Sequence, residues 1–195
     1  MIVRKMYRCP ASPALRIKGE SVKDLVIIGA SELGKEVAWL AKRSGFSVRR
    51  FLDDNPALKG KDFYRQPILG SIADWTCYTD MQFVIAIAAP RVKEMILARM
   101  LTKGSPVFAT LVDPTVQIDL IETEIGVGTV ICAGTICTAD TTIGAHCIVN
   151  KLCSIGHDAA IHDFATLSPQ VMLGGHTVIE AGAEIGAASL VRQGL

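Results

Sequence analysis

From Ile125 onward, every sixth residue belongs to one chemical class. Ile125, Ile131, Cys137, Ile143, Val149, Ile155, Ile161, Leu167, Leu173, Ile179, Ile185 and Val191 occupy these places, and eleven of the twelve are aliphatic. Four places further on, each hexad carries a small or β-branched residue: Thr129, Thr135, Thr141, Cys147, Cys153, Ala159, Ala165, Val171, Thr177, Ala183 and Ser189. Gly126, Gly144, Gly156, Gly174 and Gly186 recur directly after the aliphatic position. A helix repeats every 3.6 residues and a strand every 2, so neither holds such a register from Ile125 to Val191. A six-residue period requires one short strand and one turn per hexad. Three hexads then close one triangular coil, and residues 18 apart stack at about 4.8 Å, the strand spacing of a sheet. The expected fold of residues 125–195 is therefore a parallel β-helix. Its narrow prism accepts Ile and Thr but not rings, and Phe164 is the single aromatic residue after position 124. No insertion interrupts the hexads between 125 and 191.

The preceding residues follow another grammar. Leu25–Ile28 is a short aliphatic run ending in Gly29-Ala30-Ser31-Glu32-Leu33-Gly34. A helical pattern through Val37, Leu40 and Ala41 closes at Gly45, and Val48–Leu52 reads as a second strand ending in Asp53-Asp54. Strand, glycine turn, helix, strand and acid open a parallel βαβ unit. In such a unit, backbone amides at the turn can approach a phosphate and the acid can accept from a ribose. The G-x-G-x-x-G fingerprint is incomplete because Ser31 holds its middle place, which leaves a plain strand-to-helix turn with surface aspartates as the other reading. Phe83–Ala88 reads as a buried strand and Arg91–Met100 as a helix closed by Gly104 and Pro106. The expected organisation is a basic extension over 1–22, a Rossmann-like α/β domain over 23–106, a connector over 107–124 and the β-helix over 125–195.

Charge excludes several functions. Twenty Lys and Arg face 19 Asp and Glu, so no large basic surface for nucleic acid is expected. The strongly apolar run Phe83–Ala89 is far short of the ~20 residues of a membrane helix. Cys9, Pro10, Ser12 and Pro13 interrupt the basic N-terminal stretch, so a secretory signal is not expected and a cytoplasmic location is. The cysteines at 9, 77, 132, 137, 147 and 153 form no CxxC pair and read as buried free thiols.

The hexads resemble those of the left-handed β-helix acyltransferases, and residues 23–194 resemble one branch of them, the NeuD-type sugar acetyltransferases. Val26-Ile27-Ile28-Gly29-Ala30-Ser31, Phe51-Leu52-Asp53-Asp54-Asn55-Pro56, Pro67-Ile68-Leu69-Gly70-Ser71, Ile148-Val149-Asn150, Ile155-Gly156-His157-Asp158 and Phe164-Ala165-Thr166-Leu167-Ser168-Pro169 carry the likeness. The resemblance implies a homotrimer with active sites in clefts between neighbouring β-helices. It implies acetyl-CoA as co-substrate, with no metal, and a sugar or nucleotide sugar as acceptor of the acetyl group on an amine or hydroxyl. By the same likeness His157 is the general base, Asp158 its partner, Gly175 a backbone donor to the thioester carbonyl and Asn150 a contact for the acceptor. Gly29, Ser31, Asp53 and Asp54 would line a nucleotide pocket, and Thr166 stands where a second family histidine would meet the cofactor. Leu33 and Ala88-Ala89-Pro90 depart from the family pattern and leave the acceptor open. Related chains carry further hexads, so the β-helix is expected to be shortened at its C-terminal end.

The chemistry is coherent on its own terms. A thioester is already activated, so an imidazole that deprotonates the acceptor and a backbone N–H that stabilises the oxyanion suffice. Among the other histidines, His146 and His176 read as solvated face residues, and His162 stays open between assisting and merely hydrogen-bonding. Two rivals remain. His157 and His162 have the five-residue spacing of the zinc ligands in γ-class carbonic anhydrases, although Ile121 occupies the place of the third ligand. A non-enzymatic trimeric scaffold or sugar-nucleotide sensor would use the α/β half alone.

Overall fold

The computed structural model describes residues 23–119 and 121–195, and the expected basic extension lies outside them. The chain divides into two compact units between Ala109 and Thr110. No helix among the described residues is long and apolar enough to cross a membrane.

The first unit is built on a five-stranded sheet. In chain order its strands are β1 (Lys23–Ile28), β2 (Phe46–Leu52), β3 (Asp62–Phe63), β4 (Gln66–Gly70) and β5 (Gln82–Ile85), and in space they run β3-β4-β2-β1-β5. All pairings are parallel except the β3–β4 hairpin. Helices α1 (Glu32–Arg43) and α2 (Pro90–Leu101) flank the same strands in sequence. Residues 25–28 of β1 are fully buried, as expected of a central parallel strand covered on both faces. The expected βαβ opening is present. The periodicity does not announce the β3–β4 hairpin or the 3-10 helix Ile72–Tyr78, because β3 has two residues, β4 five and the 3-10 helix seven, too few to establish a period.

The second unit is a left-handed parallel β-helix, with fourteen two-residue strands among the described residues. Stacked strands pair residues 18 apart, as in Ile136↔Ser154, Thr142↔Ala160 and Ile148↔Thr166. The second residue of each strand points inward, so Ile125, Ile143, Ile161 and Ile179 form one buried column, with matching columns on the other two faces. The coil starts earlier than the hexads announce. Leu111–Val112 and Gln117–Ile118 stack on Val130–Ile131 and Ile136–Cys137, so the expected connector 107–124 already holds the first strands. Their partners are 19 residues away, whereas Glu124 pairs with Thr142 at 18. The extra residue lies between Ile118 and Glu124, where the Asp119 carboxylate accepts from the Ile121 N–H at 2.9 Å. That single insertion hides the first coil from a six-residue register.

Two classes of residue turn the corners. Gly128, Gly134, Asp140, His146, Leu152, Asp158, Phe164, Gln170, His176, Gly182, Ala188 and Gly194 all have positive φ and recur every six residues. The glycines of the repeat at 126, 144, 156 and 174 have another task. A Cβ on Gly126 would lie 2.3 Å from the Ala145 nitrogen, and one on Gly156 would lie 2.6 Å from the Gly175 nitrogen, so these positions let successive coils approach. Inside the corners, Thr129 and Thr135 donate to the carbonyls of Gly144 and Asn150, and Cys147 and Cys153 use the same offset of 15 residues to reach those of His162 and Ser168. These cysteines therefore replace corner threonines. Burial pushes the Cys137 thiol up to about 12 and raises Cys153 as well. Cys132, Cys137, Cys147 and Cys153 are buried as expected, whereas Cys77 is exposed.

Candidate functional site

One corner of the β-helix gathers ionisable side chains. The strand Ser154–Ile155 ends in Gly156, the chain turns through His157 and Asp158, and Ala160–Ile161 begins the next face. Asp158 adopts the left-handed conformation (φ +57°), which Asp and Asn tolerate better than other residues with a Cβ. The next coil places Gly175 and His176 over His157 and Asp158. The His176 N–H donates to the His157 carbonyl at 2.9 Å, just as the Asp158 N–H donates to that of Ala139 one coil earlier.

The side chains then meet. His157 Nδ1 and Asp158 Oδ2 are 2.7 Å apart, and His176 Nε2 lies 3.7 Å from the same oxygen. The two imidazoles meet edge to face, with ring centroids 5.1 Å apart. A Cβ on Gly175 would come within 2.6 Å of both Cε1 and Nε2 of His157, so the absent side chain is what seats the ring. The Gly175 N–H makes no hydrogen bond to another described residue. His157, Asp158 and His176 are 53%, 44% and 58% exposed, so all three are open to a ligand. The hydrogen bond from His157, and then the nearby His176, hold the Asp158 carboxyl below the usual carboxylate range. Asp158 is thus an acceptor at neutral pH, which places the imidazole proton of His157 on Nδ1 and leaves Nε2 as the basic atom.

Other expected site residues stand elsewhere. Asn150 occupies the preceding corner of the same coil, where its side-chain oxygen accepts from the Lys151 N–H at 2.8 Å. Thr166, expected against a cofactor, is only 2% exposed and belongs to a buried row with Val130 and Ile148. His162 is exposed but lies outside the His157 cluster, and Ile121 is 86% exposed on the bend before the hexads. Of His146 and His176, both read as solvated faces, only His146 differs from that expectation, since His176 is exposed. His146 is buried and stacks on Phe164 with centroids 5.5 Å apart, whereas His176 completes the His157 corner. The signal for His176 was its position 18 residues after Asp158.

In the α/β unit, Gly29 (φ +103°) forms the turn after β1, and a Cβ on Gly34 would lie 2.4 Å from the Gly29 carbonyl oxygen. Both glycines are thus required by the turn itself. Ser31 caps α1 with its side chain exposed and no capping hydrogen bond. Asp53, expected at a ribose, accepts from the Ala30 N–H through one oxygen and from the Asn55 N–H through the other, each at 2.8 Å. Its negative charge occupies the turn where a phosphate was expected. Asp54 accepts from the Ile72 N–H at 2.9 Å and pairs with Arg99. It borders a small cavity of about 190 Å³ lined by Val92, Met95, Ile96 and Arg99.

Comparison with known proteins agrees with this anatomy. Residues 24–100 match the family described as the PglD N-terminal domain. A 118-residue stretch is 28% identical to GDP-perosamine N-acetyltransferase of Escherichia coli O157:H7, which is 60% of this chain and only 52% of that relative, about half its length. The acetyltransferase domain of PglB from Neisseria gonorrhoeae, solved with acetyl coenzyme A, has a TM-score of 0.81 at 25% identity over 89% of this chain and 84% of its own. WeeI from Acinetobacter baumannii has a TM-score of 0.63, also at 25% identity, over 89% and 90% of the two chains. At 21% identity, a histidine-to-asparagine mutant of perosamine N-acetyltransferase from Caulobacter crescentus shares the fold, with a TM-score of 0.74 over 89% and 88%. Residues 24–100 thus resemble a PglD N-terminal domain, and the chain as a whole resembles left-handed β-helix acetyltransferases in fold.

Proposed function

We propose that this protein is an acetyl-CoA-dependent acetyltransferase whose acceptor is the amine of a nucleotide-linked amino sugar. The observation that carries this reading is the His157–Asp158 pair at 2.7 Å, with the imidazole seated over Gly175. The relatives' names supply the substrate class: GDP-perosamine N-acetyltransferase in the curated protein, and acetyl coenzyme A in the PglB complex.

Asp158 holds the Nδ1 proton and orients the ring. His157 Nε2 takes the proton from the attacking acceptor nitrogen, a contribution of roughly 10²–10⁴-fold. Acetyl-CoA supplies an acetyl group already activated as a thioester. The free Gly175 N–H donates to the carbonyl oxygen as negative charge develops on it. Protonated His157 then returns its proton to the departing CoA sulfur, so the base is regenerated within one turnover. No covalent enzyme intermediate is needed, in keeping with corner cysteines that are buried and hydrogen-bonded.

Two features support assembly as a homotrimer. Asn150 stands at a different corner from His157, so the contact with the acceptor that the resemblance implies for it would come from a second copy. On one flat face the outward column runs Ile136, Ser154, Met172 and Leu190, with Leu152 at the adjoining corner, and its four apolar members are exposed. A neighbouring copy would bury them.

The test is release of free CoA thiol from acetyl-CoA, using the full chain against a panel of UDP- and GDP-linked amino sugars, sialic acids and small alcohols. Release with one amino sugar, abolished in His157→Ala with the fold intact, is the expected result. Turnover only with hydroxyl acceptors would move the assignment to O-acetylation. Wild-type turnover in His157→Ala would remove His157 as the base.

A further inference from the structure

The geometry points to a divalent transition-metal site at the His157–Asp158–His176 corner, one that a zinc-class ion occupies at the expense of the base. The three side chains each offer one ligand atom, and these atoms lie within 4.8 Å of one another. Two separations are 2.7 Å, from His157 Nδ1 to Asp158 Oδ2, and 3.7 Å, from His176 Nε2 to the same oxygen. Ligand atoms about 2.1 Å from a tetrahedral zinc are about 3.4 Å apart, so the observed values bracket the required one. All three side chains are about half exposed, which lets them adjust without repacking the prism and leaves the fourth position to water. Two imidazoles and one carboxylate suit zinc, cobalt and nickel rather than magnesium or calcium, which prefer oxygen. This set differs from a carbonic-anhydrase arrangement, because it draws on His176 and leaves His162 out.

The chemical consequence follows from the tautomer. With Asp158 as partner, Nδ1 of His157 carries the proton and Nε2 is basic. A metal on Nδ1 displaces that proton and the neutral ring carries its hydrogen on Nε2, where it can no longer accept one from a substrate. His176 thus converts a base–acid pair into a site that metal can silence. Metal binding stands independently of the acetyl-transfer reading, and only the silencing rests on it.

The experiment titrates Co²⁺ into the metal-free full chain and follows the visible ligand-field bands, with Zn²⁺ as competitor and circular dichroism to verify the fold. Histidine ¹⁵N resonances report which nitrogens are metal-bound. The expected result is one ion per chain in the wild type, with affinity at least about tenfold weaker in His176→Asn and unchanged in His162→Asn. Equal affinity in the wild type and His176→Asn, or loss of binding in His162→Asn, would overturn the proposal. A chain that binds cobalt at this corner yet transfers no acetyl group even when metal-free would keep the metal site and remove the acetyltransferase assignment.

Discussion

Replacing Gly175 by Ala isolates the placement of one ring from everything else in the fold. The new Cβ would sit 2.6 Å from Cε1 and Nε2 of His157 and 3.0 Å from Cδ2. Carbon atoms in favourable contact are about 3.5–4.0 Å apart, so the ring must withdraw by about 1 Å. It is half exposed and can swing toward solvent, and Gly175 does not have positive φ, so the backbone accepts alanine without strain. The cost in stability is small, under about 1 kcal/mol for an adjusted side-chain rotamer. Misplacing a catalytic group by about 1 Å costs about 10²-fold in rate, equivalent to about 2.7 kcal/mol of barrier. The CoA-thiol assay should therefore show kcat reduced about a hundredfold, with the melting temperature nearly unchanged. Gly156→Ala is the contrasting control. There the Cβ would meet backbone, the Gly175 nitrogen at 2.6 Å and the Gly174 carbonyl carbon at 2.7 Å, which cannot step aside. That variant should lose several kcal/mol of stability, as overpacked sites do at their worst. Full activity in Gly175→Ala, or equal destabilisation by the two substitutions, would refute the reasoning.

Two further outcomes follow from the geometry. Asp158 has a lowered pKa, so the stability its ionised form contributes is present above the ordinary carboxylate pKa and is lost only as pH falls through the lowered value. Asp158→Asn removes the carboxylate that holds the Nδ1 proton and orients the ring. The rate at neutral pH should therefore fall by roughly 10²-fold or more with the fold intact; an unchanged rate would detach Asp158 from His157. Asp53→Ala strips the acceptor from the Ala30 and Asn55 amides, a loss of about 1–3 kcal/mol. At about 4–8 °C per kcal/mol for a domain of this size, calorimetry should show a clearly lower transition for the α/β unit, and an unshifted one would return Asp53 to the role of a ligand acid.

Much of this molecule is written in its periodicities. A six-residue repeat of aliphatic side chains admits only a stacked coil, because each inward residue must meet the one 18 places away. Leu25–Ile28, the glycine turn, α1 and the strand ending at Asp53 likewise follow from local rules. His157 and Asp158 were identified by resemblance, and the same 18-residue stacking predicts the neighbour of Asp158, although His176 by itself resembles a solvated surface residue. What the sequence could not decide are matters of direction and competition. Asp53 reads as a ribose acid or as part of its own turn, and only the tertiary structure shows it accepting from the Ala30 and Asn55 amides. Repeat glycines look alike in one dimension, yet Gly156 admits a neighbouring backbone while Gly175 admits an imidazole. The first coil escaped the repeat because one additional residue before Glu124 breaks the register without breaking the stack. Periodicity reports which residues share a face. Which side chains converge on one point depends on the left-handed corners at Asp158 and His176, and those exist only once the coils are closed.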